Sequence, residues 1–418
     1  MIDYKKHKSN FSPYLEKLYQ SDKPMIIYKY KDGYKIFTDF SKRIVLNNSN
    51  IEKFLNNISK KKFKREQDLY VGFFGYEILC NLLNIRIKNQ KKNGFYKGLF
   101  YKPETIITLS KKVIISSTLK KQSFHYHFNQ TKILKPFKVN INFEKYKKIF
   151  NLFSKKIRAG ETYQIKICTK YKNKSEIDPV SFFWRLMKVN SSPESFMIRD
   201  KNYSIVSCSP ETLIEKKGSK VTTKPIAGTL KKNQNLNKSK ALSFFKNNNK
   251  ETKEHNMIVD MERNDLSKIC KPGSVIIKKK KYVEEYKHLY HYVSTIEGKL
   301  KKNINLKDII KSMMPGGSVI GCPKIRTIQL LNSQEKEGRN IFTGSFGFIK
   351  FNMDMRFNII IRSILNFKNI SEISAASGVV LDSFSKKEFN ENYIKAKSLL
   401  ELFKWYILLI TKTLSHGM

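Results

Sequence analysis

Short strand signals alternate with amphipathic helix signals along the sequence, a pattern that agrees with an α+β fold. Apolar runs of four or five residues between polar turns are typical of strands. Segments with apolar residues three and four positions apart are typical of helices. The chain has 418 residues, 40% of them hydrophobic, which is enough for a large core or two domains.

The first third of the chain is dominated by strand signals. A short helix is predicted at 51–58, and strands are predicted at 24–28, 34–37, 106–109 and 113–116. The segment 70–77 places Gly72 and Gly75 among bulky aromatic residues, which is typical of close backbone approach. It predicts a core strand that turns into a helix.

The remaining two thirds carry longer helix signals. In the helix predicted at 145–158, apolar residues share one face and Gly160 follows as a cap. Further elements are a strand from about 164, a helix at 306–314, two strands joined by a turn within 342–365, a turn at 374–383 and a helix at 385–403.

The formal net charge of +46 has two interpretations, a nucleic-acid or anionic-membrane partner, or a general compositional enrichment that includes lysine. Only 11 of the 81 cationic residues are arginine, and the lysines are scattered along the chain. Base and phosphate recognition favours arginine, and no known DNA- or RNA-binding motif is visible. We favour the second interpretation, in which the lysines reflect overall composition and solvate the surface. No nucleic-acid partner is therefore expected.

The cysteines and the termini indicate a cytoplasmic protein. Five widely spaced cysteines with no CxxC pair argue against a disulfide framework or a zinc site. Residues 1–11 lack the apolar core of a signal peptide, and the apolar run 405–410 is far shorter than the ~20 residues of a membrane span. We expect no membrane association.

The most informative stretch is 225–265, which begins with Pro-Ile-Ala-Gly-Thr and continues into a helical pattern. Glu251 and Glu254 lie three residues apart, and so share one face of that helix. Glu388 and Glu391 repeat the spacing on the last predicted helix. Carboxylate oxygens suit a hard cation such as Mg²⁺, although one such pair is common on any solvated helix.

Other chemically informative residues stand where strands end or turn. Glu211 follows a strand and Pro210, and a carboxylic acid that works near neutral pH needs a pKa raised by burial. Arg362 ends an apolar strand, where an unpaired guanidinium is costly and a carboxylate partner is expected. The glycine-rich turn 315–326, with Lys324 near a helix start, has the character of an anion site.

These motifs resemble the chorismate-utilising enzymes, and in particular the large subunits of anthranilate synthase and aminodeoxychorismate synthase. The resemblance covers roughly residues 65–405 and is strongest after 205. It rests on Gly-Glu-Thr-Tyr-Gln at 160–164, Pro-Ile-Ala-Gly-Thr at 225–229, Pro-Gly-Gly-Ser at 315–318 and the two Glu-x-x-Glu pairs. It implies mixed and antiparallel β-sheets packed as a sandwich with surrounding helices.

The resemblance also implies residue roles. It assigns catalysis to Glu211 as general acid and to His291 and Thr229. It implies a Mg²⁺ site built from Glu251, Glu254, Glu388 and Glu391. It assigns binding of the dicarboxylate chorismate to Arg362, Gly378, Lys324, Ser318 and Ala227.

The implied organisation has three parts: an N-terminal region at 1–135, a chorismate-binding catalytic domain at 140–405 and a C-terminal tail at 406–418. No glutaminase segment with a nucleophilic cysteine in a glycine-rich elbow is visible. We therefore expect a separate glutamine amidotransferase subunit that supplies ammonia.

The implied reaction adds ammonia at ring carbon 2 with loss of the hydroxyl at carbon 4. The leading product is 4-amino-4-deoxychorismate, because 315–318 and Gly-Ser-Phe-Gly at 344–347 resemble that branch. Ala227 favours the alternative, anthranilate, since aminodeoxychorismate synthases often carry a nucleophilic lysine there. Isochorismate or salicylate formation is disfavoured by the segments at 225–229 and 315–318. A basic nucleic-acid-binding protein on an inactive scaffold is the remote alternative.

The chain departs from the family pattern at several positions. Lys166 stands where the family has asparagine, and Phe348 replaces a tyrosine whose hydroxyl is available to a carboxylate. Ala376 and Ser377 replace glycines, which is expected to exclude a positive φ. These departures put substrate affinity in question but not the fold.

Overall fold

The computed structural model describes residues 13–87, 93–119, 131–286 and 289–414. Within these ranges the helices are α1 Pro13–Gln20, α2 Ile51–Ser59, α3 Tyr76–Leu82, α4 Phe143–Arg158, α5 Pro179–Val189, α6 Lys238–Asn247, α7 Asn249–Ile269, α8 Leu306–Met313, α9 Lys324–Gln334 and α10 Ser385–Leu414.

The strands of the first half are β1 Met25–Tyr30, β2 Gly33–Leu46, β3 Leu69–Phe74, β4 Gly98–Leu109, β5 Val113–Ser117, β6 Lys132–Ile133, β7 Lys138–Val139, β8 Gln164–Glu176, β9 Glu194–Asp200 and β10 Tyr203–Ser209. Those of the second half are β11 Thr212–Lys217, β12 Lys220–Thr223, β13 Ile226–Lys231, β14 Ile276–Glu285, β15 Leu289–Lys299, β16 Gly321–Cys322, β17 Ser345–Lys350, β18 Met355–Asn358, β19 Ser363–Phe367 and β20 Ile370–Val379.

The strand pairings of the described residues are antiparallel and follow one another in a long ladder. From β15 the ladder passes through β12, β11, β18, β17, β3, β4, β2, β1, β9, β10, β19 and β20 to β8. Strands from before residue 120 and after residue 190 are therefore directly hydrogen-bonded neighbours. The proposed division into an N-terminal region, a catalytic domain and a tail remains a prediction.

Three apolar layers hold this ladder in shape. The middle layer joins strand to strand, with the aromatic rings of Tyr28, Phe73, Phe196 and Phe346 fully buried in it. One outer layer packs α2, α3, α7 and α8 against the sheet, and the other packs α1, α5 and α10. A β-sandwich flanked by helices is thus formed, and the predicted α+β fold is confirmed.

Most predicted elements occur close to their expected bounds, and local chemistry explains why. The Asn142 side chain caps α4 by accepting a hydrogen bond from the Lys145 backbone N–H. Gly160 ends the same helix with a φ of +74°, a conformation that glycine adopts without strain. The predicted helix at 306–314 is α8, which carries a reciprocal capping box between Asn305 and Asp308.

Two predictions near the C-terminal half were wrong. The segment 374–379, expected to be a turn, lies in β20, because each of its residues pairs with β8 in an unbroken ladder. The segment 342–365 contains not two strands but β17, β18 and the start of β19. The apolar run Ile359–Ile361 resembles a continuous strand, but the chain leaves the sheet there and places Arg362 in the gap.

Some expectations fall on residues outside the described ranges, including the N-terminal stretch 1–11 and the end of the tail. Among the described helices, none is both long enough and apolar enough to cross a membrane.

Candidate active site

Glu211 lies in the short link between two consecutive strands. Pro210 separates β10 from β11, and the backbone carbonyl of Glu211 accepts a hydrogen bond from the N–H of Ile359 at 3.1 Å. The carboxyl group is 5% exposed, and its Oε1 accepts a hydrogen bond from the Ser318 hydroxyl at 2.9 Å. Burial raises the pKa of Glu211 to about 7, against smaller lowering effects of Ser318, Lys166 and Arg362.

Ser318 lies in a tight 3₁₀ turn at Gly317–Val319, directly after α8. A Cβ atom on Gly317 would lie 2.2 Å from Sδ of Met261, a residue of α7. A larger residue at 317 would therefore require the Met261 side chain to move. The close packing fixes the position from which Ser318 reaches Glu211.

His291 and Thr229 lie opposite each other on β15 and β13. Nδ1 of His291 and the Thr229 hydroxyl share a hydrogen bond of 2.9 Å, while Nε2 is buried without a hydrogen-bond partner in the described structure. Burial, followed by the charge of Arg362, lowers the pKa of His291 to about 3. The imidazole is therefore neutral at physiological pH, with one nitrogen available to a ligand.

Arg362 combines backbone strain with an uncompensated charge. Its φ of +51° is unusual for a residue other than glycine. Burial lowers the pKa of its guanidinium, with partial compensation from Cys208 and Glu211, and Arg362 makes no salt bridge among the described residues. The charge of Arg362 also lowers the pKa of His291, and the charge of Glu211 raises the pKa of Arg362. The guanidinium, the imidazole and the Glu211 carboxyl therefore lie in one region.

Ala227 occupies a β-bulge. Ile226 pairs with Val293 and Gly228 pairs with Tyr292, so Ala227 is the extra residue between two consecutive ladder positions. The backbone N–H of Ile226 also donates a hydrogen bond to the Glu211 carboxyl, which lowers its pKa. The Pro-Ile-Ala-Gly-Thr segment thus lies next to Glu211.

Lys324 has partners of its own. Its Nζ lies 2.6 Å from Oδ2 of Asp265 and donates a hydrogen bond to the Ser312 carbonyl at 2.8 Å. The side chain is 9% exposed. Lys324 therefore ties the start of α9 to α7 and α8, and its predicted role in binding substrate remains a prediction.

The four predicted metal ligands lie on α7 and α10. Oε1 of Glu254 accepts hydrogen bonds from Gln164 and Lys166, and Oε1 of Glu388 accepts one from Ser383 at 2.9 Å. Glu391 forms an ion pair with Lys395 at 2.7 Å. The remaining ligand, Glu251, faces Gly228, where a Cβ atom would lie 3.3 Å from its Oε2.

The structure brings part of this set together. Glu254 and Glu391 are close enough for the charge of one to raise the pKa of the other. No three His, Cys, Asp or Glu side chains among the described residues form a group able to hold a metal ion as they stand. The donor chemistry nevertheless fits Mg²⁺, because all four side chains offer carboxylate oxygens.

Lys166 belongs to this cluster and was missing from the predicted site. It pairs with Gly378 across β8 and β20, and a Cβ atom on Gly378 would lie 2.6 Å from the Lys166 Nζ. The ammonium lies 3.3 Å from Oε1 of Glu254 and lowers the pKa of Glu211. The available signal was its departure from the Tyr-Gln-x-Asn pattern.

The structure also places the other departures from the family pattern, and their effect on substrate affinity remains a prediction. Ala376 and Ser377 lie in the regular ladder of β20 without a positive φ, so glycine is not required there. Phe348 packs in the middle apolar layer, with its ring centroid 6.4 Å from that of Tyr28 and 6.2 Å from that of Tyr30. At this position the replacement of tyrosine by phenylalanine therefore concerns the packing of the core.

Comparison with known families agrees with this arrangement. Residues 12–401 match the family described as chorismate binding enzyme. Because the match covers most of the chain, the protein belongs to the chorismate-binding enzymes.

The similar proteins have more than one activity. Aminodeoxychorismate synthase component 1 of Bacillus subtilis is 35% identical over 241 residues, 57% of this chain and 51% of that protein. An anthranilate synthase component 1 of Haloarcula marismortui is 34% identical over 245 residues, 58% of this chain and 50% of that protein. The matched segments thus span about half the length of these relatives.

Solved structures show the fold. Anthranilate synthase component I of Streptococcus pneumoniae has a TM-score of 0.74 at 24% identity, covering 91% of each chain. An isochorismate synthase described as DhbC, from Bacillus anthracis, has a TM-score of 0.70 at 18% identity, covering 93% of this chain and 99% of that one.

Proposed function

We propose that this protein aminates chorismate in a Mg²⁺-dependent reaction and that its leading product is 4-amino-4-deoxychorismate. The observation that carries the proposal is the convergence of a buried carboxylic acid, a neutral histidine and an unpaired arginine at Glu211, His291 and Arg362. An acid to protonate a leaving group and a cation to hold a carboxylate are what the reaction requires.

Chorismate carries two carboxylates, and the site has two regions of matching charge. The Arg362 guanidinium lacks a carboxylate partner among the described residues and is assigned to one of them. Glu251, Glu254, Glu388 and Glu391 are assigned to the Mg²⁺ ion, which when bound partly neutralises the other carboxylate. The missing side chain of Gly378 makes room beside this region for the Lys166 ammonium and the Gln164 amide.

Glu211 is assigned as the general acid. With a pKa of about 7 it is largely protonated just below neutral pH, and can give its proton to the departing hydroxyl at carbon 4. Ser318 donates a hydrogen bond to Oε1, which orients the carboxyl group and stabilises the carboxylate that remains after proton transfer. His291, held by Thr229, offers its Nε2 to substrate or intermediate.

The bonds formed and broken decide the product. Ammonia adds at carbon 2, the double bond shifts, and the hydroxyl at carbon 4 leaves as water. A second ammonia that then adds at carbon 4 and expels the first gives 4-amino-4-deoxychorismate. Loss of pyruvate from the first adduct gives anthranilate instead. Ala227 offers no nucleophile for carbon 2, so we assign that role to ammonia.

Anthranilate formation is the second candidate. It is favoured by Ala227 and by the anthranilate synthases among the relatives. The deciding experiment incubates the protein with chorismate, Mg²⁺ and ammonium and analyses the products. Material that a lyase converts to para-aminobenzoate supports the leading proposal, whereas fluorescent anthranilate alone contradicts it.

The same experiment distinguishes two further activities. Isochorismate formed without nitrogen uptake would favour the reaction of the isochorismate synthases. No product from folded protein, with DNA binding that weakens steeply as salt rises, would favour a nucleic-acid-binding protein on an inactive scaffold.

Ammonia is proposed to come from a separate glutamine amidotransferase subunit. The pure chain should then turn over chorismate with ammonium salts but not with glutamine, and glutamine-dependent turnover by the pure chain would contradict this. A cytoplasmic location remains a prediction.

A further inference from the structure

The carboxylates assigned to the metal are accompanied by two lysines. Lys166 lies 3.3 Å from Oε1 of Glu254, and Lys395 lies 2.7 Å from Oε1 of Glu391. The charges of Lys166, Lys395 and Glu254 all shift the pKa of the Glu391 carboxyl group. The four charged groups therefore lie close together. The two ammonium groups balance the carboxylates of Glu254 and Glu391, while Glu251 and Glu388 add two further carboxylates to the set assigned to the metal.

Lys166 is confined in this position. It lies on β8, paired with β20 in the ladder, and is 8% exposed. The absence of a side chain on Gly378 makes room for its ammonium, since a Cβ there would lie 2.6 Å from Nζ. Gln164, two residues earlier on the same strand face, donates a second hydrogen bond to the same Glu254 oxygen at 3.0 Å.

We infer that Lys166 is an internal cation that holds Glu254 in the free protein and competes with the divalent cation for that carboxylate. The inference rests on the proposed assignment of Glu254 to the metal. A metal ion bound to Glu254 lies beside the ammonium, and two like charges at such a distance repel strongly in a partly buried site. Binding therefore requires the ammonium to move away from Oε1.

The consequence is a weakened affinity for the metal in the free protein. Replacing Lys166 with a neutral residue removes both the competing ion pair and the repulsion. Lys166→Asn and Lys166→Met do so with different side chains, so that two independent variants are available. Lys172→Asn is the matched control, because Lys172 lies on the same strand but pairs with Glu337 and Glu372.

The test is direct titration of Mn²⁺ into protein without chorismate, followed by electron paramagnetic resonance of the free ion. We expect the dissociation constant to fall at least about tenfold in both Lys166 variants and to stay within about twofold of wild type in Lys172→Asn. An unchanged constant in folded Lys166 variants, or no Mn²⁺ binding by any of the proteins, would overturn the inference.

A second measurement uses the unmodified protein and does not depend on a variant folding. Acetylation of individual lysines is followed by mass spectrometry with and without saturating Mg²⁺. Release of Lys166 from Glu254 should raise its acetylation rate several-fold while Lys172 keeps its rate; an equal rate for Lys166 under both conditions would count against the inference. Neither measurement contains substrate, so failure of the proposed amination would leave both results standing.

Discussion

The Ser318 hydroxyl donates a hydrogen bond to the Glu211 carboxyl across 2.9 Å, joining two segments that are 107 residues apart in the chain. The glycine-rich segment is therefore more than a candidate anion site. It contacts the candidate acid directly, and its conformation and the protonation of Glu211 depend on each other.

Glu211→Gln should lower chorismate turnover by about 10²–10⁴-fold, because the amide has no acidic proton to donate. Its volume is nearly unchanged, so the protein should remain folded. Turnover is measured with ammonium and Mg²⁺. Glu66→Gln, at an exposed ion pair with Lys35, serves as the control and should retain wild-type turnover.

The pH profile should report the same carboxyl group. As the proposed general acid, Glu211 would act in its protonated form, so at a constant concentration of unprotonated ammonia kcat/KM should be highest below its pKa of about 7 and should fall as the pH rises through that value. Ser318→Ala removes a hydrogen bond that stabilises the carboxylate, and should move the falling limb to higher pH by about one unit. A limb that stays in place, or moves to lower pH, would contradict the role of Ser318.

Arg362→Gly should separate stability from activity. Glycine relieves the strain of a φ of +51° and removes a half-buried charge without an ion-pair partner in the described structure. We expect a higher thermal midpoint together with a KM for chorismate raised about 100-fold, as expected for loss of a charged hydrogen-bonding partner. Arg362→Lys keeps the charge and the strain, and should not raise the midpoint.

The packing of Gly317 on Met261 gives a prediction for a pair of variants. Gly317→Ala places a methyl group in a space already filled by the Met261 sulfur, and should cost about 1–3 kcal/mol of stability. It should also displace Ser318 and lower turnover. Adding Met261→Ala provides space for the methyl group, so the double variant should be less destabilised than the sum of the two single changes. Additive effects would contradict the contact.

Glu254→Gln should abolish metal-dependent turnover, since it removes a charged ligand while leaving a side chain of the same size. Dependence of the rate on Mg²⁺ concentration is the measurement. The control, Glu401→Gln, changes a half-exposed carboxylate on α10 that pairs only loosely with Lys397, at 3.8 Å. Unchanged Mg²⁺ dependence in Glu254→Gln would contradict the metal assignment.

Sequence patterns were sufficient for elements whose determinants are local. The amphipathic spacing of α4, its Asn142 cap and the positive φ of Gly160 all lie within twenty residues of one another. Sequence patterns were insufficient where the structure of a segment depends on the distant strand with which it pairs. Residues 374–379 are small and polar enough to resemble a turn, and β8, some two hundred residues earlier, makes them a strand.

The candidate site shows the same contrast between features set by local sequence and features set by distant contacts. The motifs identified Glu211, His291 and Arg362 because each stands in a recognisable pattern. Neither the neutral state of His291 nor the strain at Arg362 can be deduced from sequence, since both depend on burial by distant segments. Lys166 was noted as a substitution, but its proximity to Glu254 depends on how β8 faces α7.

The bulge at Ala227 has a consequence for how this protein's chemistry can change over evolution. A bulged residue stands outside the regular pairing of β13 with β15, so a different side chain at this position need not alter the register of the strands on either side. Natural selection can therefore test new functional groups beside Glu211 by single substitutions while the surrounding scaffold is inherited unchanged. A change of side chain at position 227 therefore does not require the strands around it to be rebuilt.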